Sequence, residues 1–282
     1  MSLAEYAAKH GLERVGARPP LGAYLKETIQ RLNFAWMLSA YGVQSGDART
    51  RLGNWWLLLL PTIQAGLYGL IFGLIIGSNR PENFLAYLFT GVFLFSFMSG
   101  SLQTGATAVI GNAGLVKSLS FPRILLPLSA VIKQTLNFWP QILLLVVTLL
   151  VTHNWPSWDW LLFVPVVVLM TMFSLGVALI AARLTVQFRD LNKMVPLITR
   201  LLFYVSGVFF SLEKVLGQWP LVYHIFAFNP FYDFIQLTRG LMVNGYEPSA
   251  LLWIQCIVWA IVTPLIGIVY FWRAEEQYGR ED

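Results

Sequence analysis

Hydrophobic and polar positions along the chain separate into long uncharged runs and short charged islands. Residues 52–79, 83–116, 134–158, 160–182 and 248–272 contain no Asp, Glu, Lys or Arg. Each run exceeds the roughly 20 residues a helix needs to cross a hydrocarbon core of about 30 Å. Lipid offers the backbone no hydrogen-bond partners, so helices are the expected form of each crossing. The pattern predicts spans at about 54–77, 84–109, 125–151, 160–182, 194–212 and 249–271. Pro140 should kink the third, and Lys133 near its start is expected to snorkel to the nearer interface or to serve as an intramembrane charge.

Two stretches depart from this rule. Residues 22–41 place Leu25, Ile29, Leu32 and Trp36 at helical spacing, with Lys26, Glu27, Gln30, Arg31 and Asn33 mainly elsewhere on the wheel. That pattern fits an amphipathic helix lying on a membrane surface, and a packed helix of a small N-terminal domain has the same periodicity. In 213–245, two apolar pieces at about 215–228 and 231–243 flank Asn229-Pro230. Each is about 20 Å long, too short to cross alone. They predict a re-entrant helical hairpin between spans five and six, buried by neighbouring helices; a single broken span is the alternative.

The expected fold is therefore an all-α integral membrane protein of six transmembrane helices, with that hairpin and an N-terminal amphipathic interface helix. It divides into a flexible N-terminus (1–21), the interface helix and linker (22–51), the transmembrane domain (52–272) and a charged tail (273–282). The first 50 residues are too polar for a signal-peptide core, so the first span is expected to direct insertion.

Composition agrees and adds an orientation. Of the 282 residues, 57% are hydrophobic and 12% charged, against about 25% charged in a soluble domain. Placing both termini and the islands at 111–123 and 183–193 on one face gives that face fourteen Lys and Arg, from Lys9 to Arg280. The other receives Arg80, Lys214 and Arg239. Such an excess marks the cytoplasmic side, with both termini there in a cell membrane. The same rule accounts for the net charge of +5. No basic cluster interleaved with aromatics points to nucleic acid. The one cysteine, Cys256, excludes an intrachain disulfide and a cysteine zinc cluster.

The chain has no G-x-x-x-x-G-K-[ST] loop, no H-E-x-x-H, no paired-cysteine motif and no G-x-S-x-G. His10, His153 and His224 are scattered. Glu82, Asp159, Glu213, Asp233 and Glu247 are dispersed singly, whereas a membrane glycosyltransferase or hydrolase needs converging carboxylates as base or metal ligands. No metal site and no catalytic residue is expected. A transport subunit whose motor is another protein fits better.

At this point specific motifs speak. Asn112-Ala113-Gly114-Leu115, then Lys117, then Phe121-Pro122-Arg123-Ile124-Leu125-Leu126-Pro127-Leu128-Ser129 resembles the loop after the second span in ABC-2-type exporter permeases. The likeness is to the polysaccharide-export branch, the O-antigen, capsule and teichoic acid permeases. Phe188-Arg189-Asp190-Leu191, and Asn229-Pro230 followed by Arg239, fit the same branch. Together these motifs cover about residues 25–272, in order.

The resemblance implies a homodimer with two copies of a separate ATPase, which would hold the ATP and Mg while this chain carries no cofactor. It implies export of a polyprenyl-diphosphate-linked glycan. Asn112, Lys117, Phe121, Pro122 and Arg123 would couple to the ATPase, beside a second cytoplasmic loop at Phe188, Arg189 and Asp190. Glu213, Asn229, Pro230 and Arg239 would belong to a re-entrant gate. A glycan has polar edges and apolar C–H faces, so aromatics can line its path; Phe93, Phe97, Phe203, Tyr204, Phe209, Phe210 and Trp219 are candidates. Arg49 and Arg51 stand at a head-group entrance, with Lys133, Arg189 and Arg200 as further cations for a diphosphate. An ABC-2 permease for a small hydrophobic drug or lipid, and a membrane glycosyltransferase, are the alternatives.

Overall fold

The structure, a computed structural model, describes residues 18–46, 51–75, 81–276 and 278. Among them every regular element is helical. The interface segment forms two helices, α1 (Leu21–Gln30) and α2 (Leu32–Gly46), rather than the single helix expected over 22–41. The break falls at Arg31, whose side chain pairs with Glu27 at 3.0 Å and also donates to Ser120 O at 2.7 Å. Tyr24, Thr28, Ala35 and Ser39 face inward, while Ile29, Leu32, Trp36, Met37 and Tyr41 stay exposed. Small and polar residues thus make the packing face, and the apolar stripe is left for another medium.

Among the described residues, five helices are long and apolar enough to cross a membrane: α3 (Trp56–Ile75), α4 (Phe84–Thr107), α6 (Leu125–Val151), α7 (Phe163–Gln187, entered through a 3-10 turn at Trp158–Leu162) and α12 (Ala250–Trp272). The central one is α4, buried over 78% of its apolar window against 11% for α3. Lipid supplies no hydrophobic force between helices, so close van der Waals packing has to hold them. Glycines permit it. A Cβ on Gly176 of α7 would stand 2.4 Å from the Pro264 nitrogen of α12, and one on Gly267 would stand 2.7 Å from Gly176 O. Likewise Gly105 of α4 lies against Ala178 of α7.

The remaining helices are short: α5 (Ala113–Ser118), α8 (Leu191–Val205), α9 (Leu212–Leu216), α10 (Pro220–Ala227) and α11 (Pro230–Met242). In place of the expected span over 194–212, α8 has 15 residues, about 22 Å long. Hydropathy reads Val205, Val208, Phe209 and Phe210 as a continuation. Instead the chain turns through Gly207, at φ +61°, and remote side chains collect the carbonyls this turn releases. Tyr87 OH donates to Gly207 O and Phe210 O, at 3.0 and 2.9 Å.

Contacts sort the loops into two ends. Ser39 Oγ donates to Ser129 O at 2.8 Å, so α2 lies along the start of α6. The Lys133 stem lies against Gly42 of α2. At the opposite end, Asn83 Nδ2 donates to Asn244 O at 3.0 Å and Asn244 N donates to Asn154 Oδ1 at 2.7 Å. The segment from Leu191 to Asn244 therefore begins at the first, basic end and finishes at the second.

Candidate functional site

At the basic end, residues 111–120 form an exposed platform around α5, with Lys117 in its last turn. A cleft of about 300 Å³ beside it is lined by Val109, Ile110, Val116, Lys117, Val186, Arg189 and Tyr278. Thus Lys117 and Arg189, 72 residues apart in sequence, meet on one apolar cleft. Phe188 and Asp190 are exposed next to it. Asn112 is turned back toward the end of α4, donating to Ala108 O at 2.7 Å.

Phe121 and Pro122 are buried, with Phe121 against Phe34 of α2 at a ring separation of 5.0 Å. Arg123 is mostly covered and pairs with Glu275, just past α12, at 3.3 Å. These three residues are the root of the platform rather than its displayed surface. Burial pushes the Glu275 carboxyl above its ordinary range, while hydrogen bonds from Arg123 and Tyr24 pull it back down. Arg51 is exposed just ahead of α3; Arg49 lies outside the described residues.

A groove of about 540 Å³ runs between α3, α4 and α8. Ser96, Ser99 and Gln103 line one wall, and Thr199 and Arg200 face it from α8. Tyr68, Phe95, Phe203 and Tyr204 form an aromatic shelf, with Phe95 and Tyr68 at 4.9 and 5.3 Å from Phe203. A second hollow of about 190 Å³ shares Gln103 and Pro196 and extends the same face to Thr107 and Asn192. The polar face therefore runs from mid-α4 toward the basic end.

Of the aromatics expected on a path, Phe203 and Tyr204 line this groove and the others do not. Phe97 is buried against Phe138 of α6, and Phe93 against Phe89. Phe209 stacks on Phe72 and meets Phe203 edge-on, forming the layer behind the shelf. Phe210 is half-buried near it, and Trp219 is exposed ahead of α10. Sequence reading missed Tyr68, Phe95 and the polar wall. A signal existed: Ser96, Ser99, Gln103 and Thr107 recur at i, i+3, i+7 and i+11 in an otherwise apolar run.

Toward the opposite end, α11 packs on α4 and α12. Asn229 caps α11 by accepting from Phe231 N at 3.1 Å, donates to Ser206 Oγ at 2.8 Å, and is followed by Pro230 at the first helical position. Glu213 on α9 is exposed. Phe231 packs on Phe95, Arg239 on Tyr87, and Asn244 on Asn83. As α11 advances, its contacts climb back along α4, so the two helices run antiparallel. Asp233 accepts from Trp259 Nε1 at 3.2 Å, nine residues into α12 and so about 14 Å along it.

Arg239 is fully buried. Its Nε and Nη2 donate to Tyr87 O at 3.2 and 2.9 Å, Nη1 to Gly207 O at 2.9 Å and to Gln236 Oε1 at 2.8 Å, and Nη2 to Val208 O at 3.0 Å. Oriented carbonyl dipoles and the Tyr87 ring meet its charge. A Cβ on Gly91 would stand 2.5 Å from Nη2, so this glycine makes room for the guanidinium. Among the described residues, no group of three or more His, Cys, Asp or Glu converges as metal ligands would.

A polar groove thus runs between α3, α4 and α8, and its polar face extends toward the basic end that carries the loop platform. Residues 44–243 match the ABC-2 type transporter family. The chain belongs to that family. The O-antigen export system permease protein RfbA of Klebsiella pneumoniae is 30% identical over 215 residues, covering 75% of this chain and 82% of the relative. A protein of the same name from Myxococcus xanthus is 32% identical over 167 residues, 59% of this chain and 64% of the relative. The polysialic acid transport protein KpsM of Escherichia coli is 23% identical over 236 residues, 83% of this chain and 90% of the relative. This ABC-2 chain is thus an integral membrane protein whose relatives serve polysaccharide export and transport.

Proposed function

We propose that this chain is the permease subunit of an exporter that moves a polyprenyl-diphosphate-linked polysaccharide across the cytoplasmic membrane. A separate ATPase, present in two copies, binds ATP and Mg and supplies the energy. The observation that carries the reading is the groove. Ser96, Ser99 and Gln103 offer hydrogen bonds to sugar hydroxyls, and Tyr68, Phe95, Phe203 and Tyr204 offer flat faces to sugar C–H surfaces. A small lipophile needs no such polar wall. Arg200 is the cation placed to meet a diphosphate, with exposed Arg51 ahead of α3 as a further cation for the head group.

The groove is open on one side, and the surrounding faces of α3 and α8 expose Ile63, Leu67, Leu197 and Leu201. A second copy of this chain closes it, giving a homodimer with one path. The basic end is cytoplasmic, by the excess of Lys and Arg there. Residues 111–120 and Lys117 then seat on the ATPase next to Phe188–Asp190, with Phe121, Pro122 and Arg123 anchoring the loop and α1–α2 resting their apolar stripe in the interface. Segment 191–244 supplies the sixth crossing: α8 rises almost to the far end, and α10 and α11 form a hairpin that re-enters from there to gate the path. Antiparallel α4 and α11, with Trp259 meeting Asp233 about 14 Å along α12, support that placement.

The test is ATP turnover by the chain purified with its ATPase. Stimulation by lipid-linked glycan is expected; indifference to glycan with stimulation by small lipophiles would overturn the proposal.

A further inference from the structure

One carboxylate joins three elements that a motor would have to move together. Glu275 follows α12 and is 4% exposed. Its Oε1 accepts from Arg123 N at 3.1 Å and from Arg123 Nη1 at 3.3 Å, at the root of the platform loop. Its Oε2 accepts from Tyr24 OH of α1 at 2.7 Å. That hydroxyl in turn accepts from Ile124 N at 3.2 Å, just ahead of α6. Two backbone N–H groups at the mouth of α6 are therefore satisfied by side chains from α1 and from the segment just past α12.

The neighbouring contacts repeat the same connection. Arg18 N donates to Glu276 Oε1 at 3.1 Å, and Trp272 Nε1 donates to Pro19 O at 2.9 Å. Arg31 holds Ser120 O from the other side of the loop. The loop surface at 111–120 stays exposed while its root is held from both flanks.

We infer that Glu275 is a positioning residue for energy coupling: it fastens the root of the platform loop to α12 and α1, so that displacement of the loop reaches these helices together. The inference rests on the export reading above. Charge-assisted bonds in a covered site are short and directional. A hinge built on them transmits displacement, whereas an exposed pair would slip. Burial keeps water from competing for the carboxylate. The link is also specific to geometry: glutamine in place of Glu275 loses the charge, and phenylalanine in place of Tyr24 keeps the ring while removing the bond to Ile124 N.

The test uses the full chain assembled with its ATPase in lipid vesicles, with glycan exported and ATP hydrolysed measured in parallel. Wild-type export first establishes the underlying reading; without it, that reading fails independently. With it, Glu275→Gln and Tyr24→Phe are expected to assemble, melt near the wild-type temperature and hydrolyse ATP, while glycan exported per ATP falls at least several-fold. The double variant should be no worse than the worse single variant, since both break one linkage. An unchanged ratio overturns the inference. So does a loss of assembly or thermal stability that lowers export and hydrolysis in proportion, because that marks a merely structural role.

Discussion

Arg239 lies over the ring of Tyr87 in the interior, its guanidinium carbon 3.2 Å from the ring centroid. The arginine donates twice to the tyrosine carbonyl, and the tyrosine hydroxyl binds the same turn, 207–210, that the arginine grips. A buried charge at membrane depth is costly and is kept for a purpose. Here it holds the turn at which α8 stops.

Lysine cannot reproduce this clamp, because its ammonium lacks the planar fork that reaches Tyr87 O, Gly207 O and Val208 O together. Arg239→Lys is expected to lower stability by about 2–4 kcal/mol, the cost of one or two unsatisfied buried groups. Thermal melting of the purified protein in detergent checks this. A melting temperature equal to that of wild type would contradict the clamp.

The crossing of α7 and α12 gives a prediction about folding. Gly176→Val drives a side chain into the backbone at Thr263 and Pro264, so properly folded protein should be lost. Gly66→Ala on α3 meets nothing within 4 Å and should be tolerated. The recovery of monodisperse protein by gel filtration distinguishes the two.

Much of this architecture was legible in the sequence, and the exceptions share a cause. Uncharged runs located α3, α4, α6, α7 and α12, and Asn229-Pro230 marked the start of α11, because span length and capping are local properties. The end of α8 was not legible, since it depends on Tyr87 and Arg239, distant in sequence. Glu275 read as part of a charged tail for the same reason: nothing near it announces Tyr24 or Arg123. For the groove, aromatic content misled. Phe93 and Phe97 are as apolar as Phe95 but do not line the groove, and the better guide to its lining was the spacing of Ser96, Ser99 and Gln103.

The platform predicts how the ATPase is held. Lys117→Glu should weaken its association and flatten the dependence of binding on salt, because an exposed cation acts through a screened field. Arg123→Glu should act differently. It sets two carboxylates side by side at the root of the loop, leaving membrane insertion intact while uncoupling export from ATP hydrolysis. Binding titrations at two salt concentrations, with export assayed in parallel, separate these effects. Normal export by Arg123→Glu would contradict the coupling role.

The most direct measurement asks whether glycan occupies the groove. Cys256 is the one cysteine and is buried, so single cysteines can be placed in a Cys256→Ser background. Ser99→Cys and Gln103→Cys lie in the groove, whereas Leu143→Cys sits on the exposed face of α6. With lipid-linked glycan arrested in the ATPase-bound complex, a membrane-permeant thiol reagent should label the first two sites several-fold more slowly than in the empty complex, and Leu143→Cys at an unchanged rate. Equal labelling of Ser99→Cys and Gln103→Cys with and without glycan, in complexes that export it, would contradict the path.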